Sequence, residues 1–129
     1  MTMLAYVDAS ALVKLVIAEA DSPEMLQWYL ETERVITSRI GLIETERAVA
    51  RRDHDPERLR AVLDQIEVFE LDDDIGRRAG ALVPASLRTL DSIHVATALT
   101  IRAVDAFVTY DDRQAEAARA VGLPVVRPA

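Results

Sequence analysis

Four acidic residues stand where carboxylates could act together on one ligand: Asp8, Glu44, Asp91 and Asp111. Asp8 and Asp111 each follow a short apolar run, and the other two lie in stretches with helical periodicity. Carboxylates gathered without basic partners repel one another, and a hard divalent cation such as Mg²⁺ or Mn²⁺ is the usual remedy. A metal held in this way activates water and neutralises phosphate, which is the chemistry of phosphodiester hydrolysis.

Two of these acids also have ordinary structural explanations. If Thr89 caps the helix of "LRTLDSIHVATAL", Asp91 falls in its first turn, where the helix dipole favours a carboxylate. Glu44 lies among apolar neighbours and tends toward the buried side of its helix, whereas Glu46 is turned about 200° away. The metal-site hypothesis therefore depends on the four acids converging, and no single acid carries it.

Three polar residues beside these acids are candidates for a supporting role. Asp8 or Ser10 could cap the helix that follows the first strand, and Ser10 has no nearby histidine to activate it as a nucleophile. A strand that runs through Thr109 and Asp111 points both side chains to the same face. Asp112 is placed to cap the next helix, and its loss is expected to cost stability more than activity.

The apolar periodicity of the chain predicts strands that alternate with helices. This pattern indicates an α/β fold, a parallel sheet flanked by helices on both faces. Ligands in such sheets bind beyond the carboxyl ends of the strands, so Asp8 and Asp111 are expected at the same edge. The predicted strands are "MLAYV", "RVITS", "EVFEL", "DAFVTY" and the edge-like "LPVVRP"; the predicted helices include "SALVKLVIAEA", one capped by Ser22, one opened by Ser38, one opened by Asp55, one capped by Asp72, residues 87–99 and "DRQAEAARAVG".

The composition narrows the class of protein. A chain of 129 residues is expected to form one domain over 1–129, and its net charge of −7 argues against binding nucleic acid through a broad basic face. No apolar run is long enough to span a bilayer, and the N-terminus lacks the basic region of a signal peptide. The absence of cysteine fits a reducing, cytoplasmic setting and removes thiolate chemistry.

Other polar clusters have simpler interpretations. The run Asp72–Asp74 at a helix start is explained by capping and the helix dipole. His94 is interpreted as a hydrogen-bonded core histidine, since no second histidine stands at metal-ligand spacing. Arg47, Arg51 and Arg52 form a basic strip that is either a solvated helix face or a contact for a phosphate backbone.

Taken in order, these motifs resemble those of PIN-domain nucleases, and most closely the VapC toxins of type II (VapBC) toxin–antitoxin pairs. The resemblance rests on "YVDASALVKL", "TSRIGLIE" with Glu44, "LRTLDSIHVATAL" and "FVTYDDRQAEAARAVGLPVV". It covers essentially the whole chain, and the first and third motifs are the most specific.

The resemblance implies an Mg²⁺- or Mn²⁺-dependent endoribonuclease that cleaves RNA, is neutralised by a cognate VapB antitoxin and forms a homodimer. It implies that Asp8, Glu44, Asp91 and Asp111 are the catalytic, metal-binding acids. Ser10 and Thr109 would support them, and Asp112 would assist or replace Asp111.

The same residues exclude two other α/β families and leave one alternative function. Haloacid-dehalogenase-type phosphatases and receiver domains both need a late lysine, and Lys14 is the only lysine of this chain. A non-catalytic module whose acidic pocket docks a basic peptide stays open as the alternative function. An antitoxin is expected to bring an arginine to Asp8 and Asp91 and an apolar segment to the first two helices, where the candidate contact residues are Val13, Val16, Trp28 and Tyr29.

Overall fold

A computed structural model describes residues 3–129 as a five-stranded parallel sheet with helices on both faces. The predicted α/β class is confirmed, and the strand order is β3-β2-β1-β4-β5. The strands are β1 (Leu4–Val7), β2 (Arg34–Ser38), β3 (Glu67–Phe69), β4 (Ala106–Val108) and β5 (Val125–Val126). The helices are α1 (Ala9–Val16), α2 (Ser22–Leu30), α3 (Arg39–Ala50), α4 (Pro56–Leu63), α5 (Asp73–Ala81), α6 (Thr89–Thr100) and α7 (Asp112–Ala120).

The central strand β1 divides the hydrophobic core into two layers. Ala5 and Val7 point to one face of the sheet, where they pack with residues of α1 and α2. Leu4 and Tyr6 point to the opposite face, where they pack with residues of α6 and α7. A strand with helices on both faces has no solvent-facing side, which is why β1 reads as a continuous apolar run.

The strand order places a topological switch point between β1 and β4. The chain moves outward from β1 to β2 and β3, then returns to β4 on the other side of β1. Val7 pairs with Val108, so the residues that follow the two strands leave the sheet side by side. Crevices at such switch points are the usual ligand sites of doubly wound sheets.

Several predicted helix caps are confirmed and others are wrong by one residue. Ser38, Asp55 and Asp72 cap their helices through side-chain oxygens, as predicted. Ser22 is the first residue of α2 and Asp21 is at the N-cap position. The Ser22 hydroxyl does not cap α2, because it donates to the carbonyl of Ile17 at the end of α1. Thr89 is the first residue of α6 and Arg88 precedes it as the cap residue, without a side-chain capping bond.

No helix among residues 3–129 is both long and apolar enough to cross a membrane. The longest helices, α3 and α6, have 12 residues each, whereas about 20 residues are needed to span a bilayer.

Helix α6 is the most deeply buried helix of this fold. Its residues from Asp91 to Ala98 are all buried, and it packs against β2, α3, α5 and α7. The approach of α3 to this region depends on Gly41, where a Cβ would lie 2.1 Å from Thr37 Oγ1 and 3.2 Å from His94 Cε1. The Thr37 hydroxyl is itself fixed, because it donates to the Val7 carbonyl at 2.7 Å.

We expect Gly41→Ala to destabilise the protein, because the added methyl meets a buried side chain that cannot move away. Overpacking of this kind costs about 1–3 kcal/mol, or a fall in melting temperature of roughly 3–6 °C for each kcal/mol. Gly76→Ala in α5 is the matched control, since its Cβ meets nothing within 4 Å and alanine favours a helix. Thermal melts that show equal stability for Gly41→Ala and wild type would contradict this packing.

Candidate active site

Asp8 is the buried centre of a polar cluster at the switch point. Its side chain lies directly after β1 and is fixed by three donors: the Ser10 hydroxyl at 2.6 Å, the Thr109 hydroxyl at 2.5 Å and the Ala11 backbone N–H at 3.2 Å. Asp8 therefore caps α1, and Ser10 supports the aspartate and does not replace it. The supporting positions predicted for Ser10 and Thr109 are the ones that the structure shows in contact with Asp8.

Burial sets the protonation behaviour of Asp8. Desolvation raises the pKa of its carboxyl above the ordinary aspartate value, and the hydrogen bonds from Ser10, Thr109 and the Ala11 N–H partly offset that rise. Each donor favours the charged form, so these contacts reduce, without cancelling, the cost that burial imposes on the carboxylate. Asp8 is only 4 % exposed, which makes this compensation necessary.

Asp91 and Asp111 meet through a residue that the sequence analysis did not single out. The Arg88 guanidinium donates to Asp91 Oδ2 at 2.8 Å and to Asp111 Oδ2 at 3.2 Å. Asp91 lies in the first turn of α6, as predicted, but its immediate partner is this arginine. The i,i+3 spacing of Arg88 and Asp91 was the available sequence signal for the ion pair.

Asp111, and not Asp112, caps α7. Asp111 Oδ1 accepts from the backbone N–H groups of Arg113 and Gln114, while its other oxygen contacts Arg88. Asp112 is the first helical residue, points into solvent and pairs with Arg127 at 2.7 Å. The prediction that Asp112 is the capping residue is therefore wrong by one position, because the chain turns into the helix directly after Tyr110.

Glu44 is held on the other side of the cluster by a buried hydrogen-bond chain. His94 Nε2 lies 2.6 Å from Glu44 Oε1, and His94 Nδ1 lies 2.6 Å from the Tyr6 hydroxyl, which also accepts the Ser38 N–H at 3.2 Å. Burial raises the pKa of Tyr6, so its hydroxyl stays protonated and donates a hydrogen bond to His94 Nδ1. The ring proton then sits on Nε2 and is donated to Glu44, an assignment that satisfies every group in the chain.

His94 is thus the hydrogen-bonded core histidine that its position predicted. Its contact with Glu44 was not foreseen, because the two residues lie 50 positions apart. The half-buried position of Glu44 and the exposed position of Glu46 agree with the predicted orientation of that helix.

The four acids therefore lie at one end of the sheet, but their side chains are not arranged around a common point where one metal ion could bind. Asp8 is tied to Thr109, whose hydroxyl also accepts the backbone N–H of Asp111 at 3.0 Å. In the stretch 3–129, no three Asp, Glu or His side chains stand ready to hold one metal ion. The positive charge at Asp91 and Asp111 comes instead from Arg88, whose pKa these carboxylates raise through hydrogen bonding and charge.

Residues expected to form a surface for a partner prove to be largely core. Val13 and Val16 are 9 % and 7 % exposed and pack with Ile17 and Val49. Trp28 and Tyr29 are half-buried against the core layer of α1 and β1. The apolar faces of the first two helices are buried because α1 packs against α2, α3 and α4.

We expect Asp8→Asn to leave the metal-free protein as stable as wild type or more stable at pH 7. The pKa of Asp8 is raised in the folded state, so its ionisation disfavours folding at pH values above that pKa, and asparagine removes this cost while remaining a good helix cap. The advantage of the variant should shrink as pH falls below the raised pKa and vanish below the ordinary aspartate value, where the wild-type carboxyl is protonated in both the folded and the unfolded state.

Thermal melts in EDTA at a series of pH values test this expectation. Thr45→Val is a destabilised reference, because it removes a buried hydroxyl that donates to Gly41. A melting temperature for Asp8→Asn well below that of wild type at pH 7 would show that the charge of Asp8 stabilises the fold.

Known proteins resemble this chain in sequence over most of its length. The family model described as PIN domain matches residues 5–120. The chain is 44 % identical to "Ribonuclease VapC35" of Mycobacterium tuberculosis (strain H37Rv) and 38 % identical to "Ribonuclease VapC47" of M. tuberculosis (strain CDC 1551), each time over 95 % of this chain and 96 % of the relative.

Solved structures show the same fold at lower identity. M. tuberculosis VapC20, described as a sarcin–ricin loop cleaving toxin, superposes with a TM-score of 0.75 at 21 % identity and covers 96 % of this chain and 99 % of its own. A toxin–antitoxin complex from Klebsiella pneumoniae gives a TM-score of 0.73 at 23 % identity, with 97 % and 98 % covered. On the family match and the identity to its curated relatives, the chain belongs to the PIN-domain family, among its VapC members.

Proposed function

We propose that this protein is an endoribonuclease that hydrolyses RNA phosphodiester bonds with the help of Mg²⁺ or Mn²⁺, and that it is the toxin of a toxin–antitoxin pair. The observation that carries the proposal is the gathering of Asp8, Asp91 and Asp111 at the switch point, bridged by Thr109 and Arg88. The curated relatives named as ribonucleases supply the reaction class.

The donor chemistry of the site suits a hard divalent cation. Asp8, Asp91 and Asp111 offer carboxylate oxygens, the ligands that Mg²⁺ and Mn²⁺ prefer. Arg88 forms ion pairs with two of these acids, Asp91 and Asp111. Because its side chain is 55 % exposed, it can move aside when a metal binds. Glu44 would complete the acidic group from the α3 side.

Different residues of the site would have different roles in hydrolysis. A bound metal would activate water and offset the charge of the phosphate. Ser10 and Thr109 hold Asp8 in one orientation, and the buried position of Asp8 limits competing water. His94 fixes one oxygen of Glu44, whose other oxygen has no protein partner among residues 3–129 and can accept a hydrogen bond from the attacking water. Arg88, once released, is placed to pair with a phosphate oxygen.

Partners follow from the same family. Structural relatives include complexes described as VapBC2 of Rickettsia felis and VapBC-1 of Haemophilus influenzae. We infer that a VapB-type antitoxin neutralises this chain by placing an arginine at Asp8 and Asp91, in the position that suits a bidentate pair. We also infer a homodimer as the active form.

We expect purified protein to cleave RNA in Mn²⁺ or Mg²⁺ and to stop when EDTA is added in excess. Asp91→Asn should abolish cleavage while its thermal melt stays close to that of wild type. Asp74→Asn is the matched control, because Asp74 is an exposed acid of α5 that pairs with Arg78 away from the cluster.

Gel analysis of a labelled RNA before and after chelation measures this activity. Undiminished cleavage in EDTA would refute the metal mechanism. Tight binding of a basic peptide at Asp8 and Asp91 without any cleavage would favour the alternative, a PIN-like module that only docks a partner.

We expect Arg88→Gln to bind Mn²⁺ more tightly than wild type, because the arginine and the metal compete for Asp91 and Asp111. An exposed ion pair contributes about 0.2–1 kcal/mol, so the gain should be no more than about fivefold in the dissociation constant. Arg34→Gln is the control, since Arg34 pairs with Glu67 at the opposite end of β2. Isothermal titration with Mn²⁺ in the absence of RNA makes the comparison, and weaker binding by Arg88→Gln would contradict it.

A further inference from the structure

Two grooves meet the acidic cluster from opposite sides. The α3 groove is lined by Ser10, Glu44, Arg47, Arg51 and Leu90. The α7 groove is lined by Arg88, Asp91, Arg113, Glu116 and Ala117. Each groove contains at least one of the catalytic acids proposed above, so the two grooves lead into the site from either side.

The α3 groove carries two arginines without a carboxylate partner. Arg47 lies in the last turn of α3, three residues after Glu44, and Arg51 is the C-cap residue one turn further on, so the three side chains line the same side of the helix. Among residues 3–129, neither arginine forms an ion pair, whereas the adjacent Arg52 pairs with Glu19. Of the three arginines in the basic strip, Arg52 is therefore neutralised by Glu19, whereas Arg47 and Arg51 line the α3 groove.

The α7 groove carries a third such arginine in an unfavourable position. Arg113 is the second residue of α7, where the positive end of the helix dipole disfavours a cation. No carboxylate in the described part of the chain pairs with it. An anion bound in this groove would relieve that cost.

The depth of the acids constrains the shape of the anion. Asp8 and Asp91 are 4 % and 8 % exposed, so a reacting phosphate must enter the crevice to contact these buried side chains. A duplex is stiff over the length of such a site, whereas a single strand bends and splays its bases. The α3 groove also offers Leu90, 45 % exposed, as an apolar contact for an unstacked base.

We propose that a single RNA strand crosses the protein through both grooves, with Arg47 and Arg51 binding phosphates on one side of the cleavage point and Arg113 binding a phosphate on the other. This inference rests on the proposed function and deepens it, because it assigns the substrate path to three residues outside the acidic cluster. In a chain of net charge −7, these local cations supply the attraction for a polyanion that the whole surface does not.

A protein partner fits this path less well. The acids of the site would attract a basic segment, but Arg47, Arg51 and Arg113 would repel it along both grooves. An RNA strand complements the arginines, and Arg88 offsets its repulsion by Asp91 and Asp111 even without a metal. Contact with an antitoxin is therefore the competing outcome of the test.

The test is the salt dependence of RNA binding in EDTA, where no cleavage should occur. A fluorescein-labelled single-stranded RNA of mixed sequence is titrated with wild type, the double variant Arg47→Gln/Arg51→Gln, and Arg113→Gln, between about 50 and 200 mM salt. The control is the double variant Arg34→Gln/Arg78→Gln, which removes the same charge from arginines already paired with Glu67 and Asp74. Thermal melts confirm that each variant is folded.

Each phosphate contact that is lost should make the slope of log affinity against log salt less negative by about 0.7. We expect about twice that change for the α3 double variant, about 0.7 for Arg113→Gln and none for the control. Equal slopes for the α3 variant and the control would overturn the inference, as would an absence of RNA binding by wild type at 50 mM salt. An effect of these substitutions on antitoxin binding but not on RNA binding would assign the grooves to the protein partner instead.

A parallel cleavage assay in Mn²⁺ separates this inference from the proposed function. Cleavage by wild type together with unchanged salt slopes in the variants refutes the RNA path alone. Arginine-dependent binding without cleavage by wild type refutes the nuclease function and leaves the RNA-binding grooves in place.

Discussion

The burial of the Asp8 carboxylate at the end of the central strand is the constraint on which the site depends. A charge in that position is costly unless donors surround it. The chain meets the cost with Ser10 from α1 and Thr109 from the segment after β4, and these contacts join the two strands of the switch point. The capping of α1, the crossing of the chain to β4 and the position of Asp111 are all arranged around one carboxylate.

A second constraint is the buried chain from Ser38 through Tyr6 and His94 to Glu44. It crosses the core between β1, α6 and α3, and each link from the Ser38 N–H to Glu44 Oε1 is a hydrogen bond. Satisfied networks of this kind rigidify the elements that carry them. Gly41 permits the close approach of α3 that the network requires, so a residue without a side chain contributes to the position of a catalytic candidate.

Charge is balanced locally in this protein. The exposed ion pairs of Arg34 with Glu67 and of Arg39 with Glu70 join β2 to β3 at their two ends, and such pairs add little to stability. At the cluster, Arg88 supplies a positive charge to Asp91 and Asp111 while remaining half-exposed. The site thus keeps a cation at its acids that a metal or an antitoxin arginine can replace.

The sequence by itself determined the five strands and the parallel α/β class, because these follow from local apolar periodicity. From the rule that parallel strands present their carboxyl ends at one edge, it placed Asp8 and Asp111 side by side. It also predicted the capping of three helices, where the cap and the backbone it satisfies lie within three residues. The tertiary structure decided which partner each acid takes. The i,i+3 spacing signalled the pair of Arg88 and Asp91, whereas the contact of Arg88 with Asp111, that of His94 with Glu44 and the choice of Asp111 over Asp112 as cap depend on how helices and loops approach one another. Such approaches are set by the packing of residues up to about a hundred positions apart, as with Thr109 on Asp8, and local sequence patterns carry no information on them.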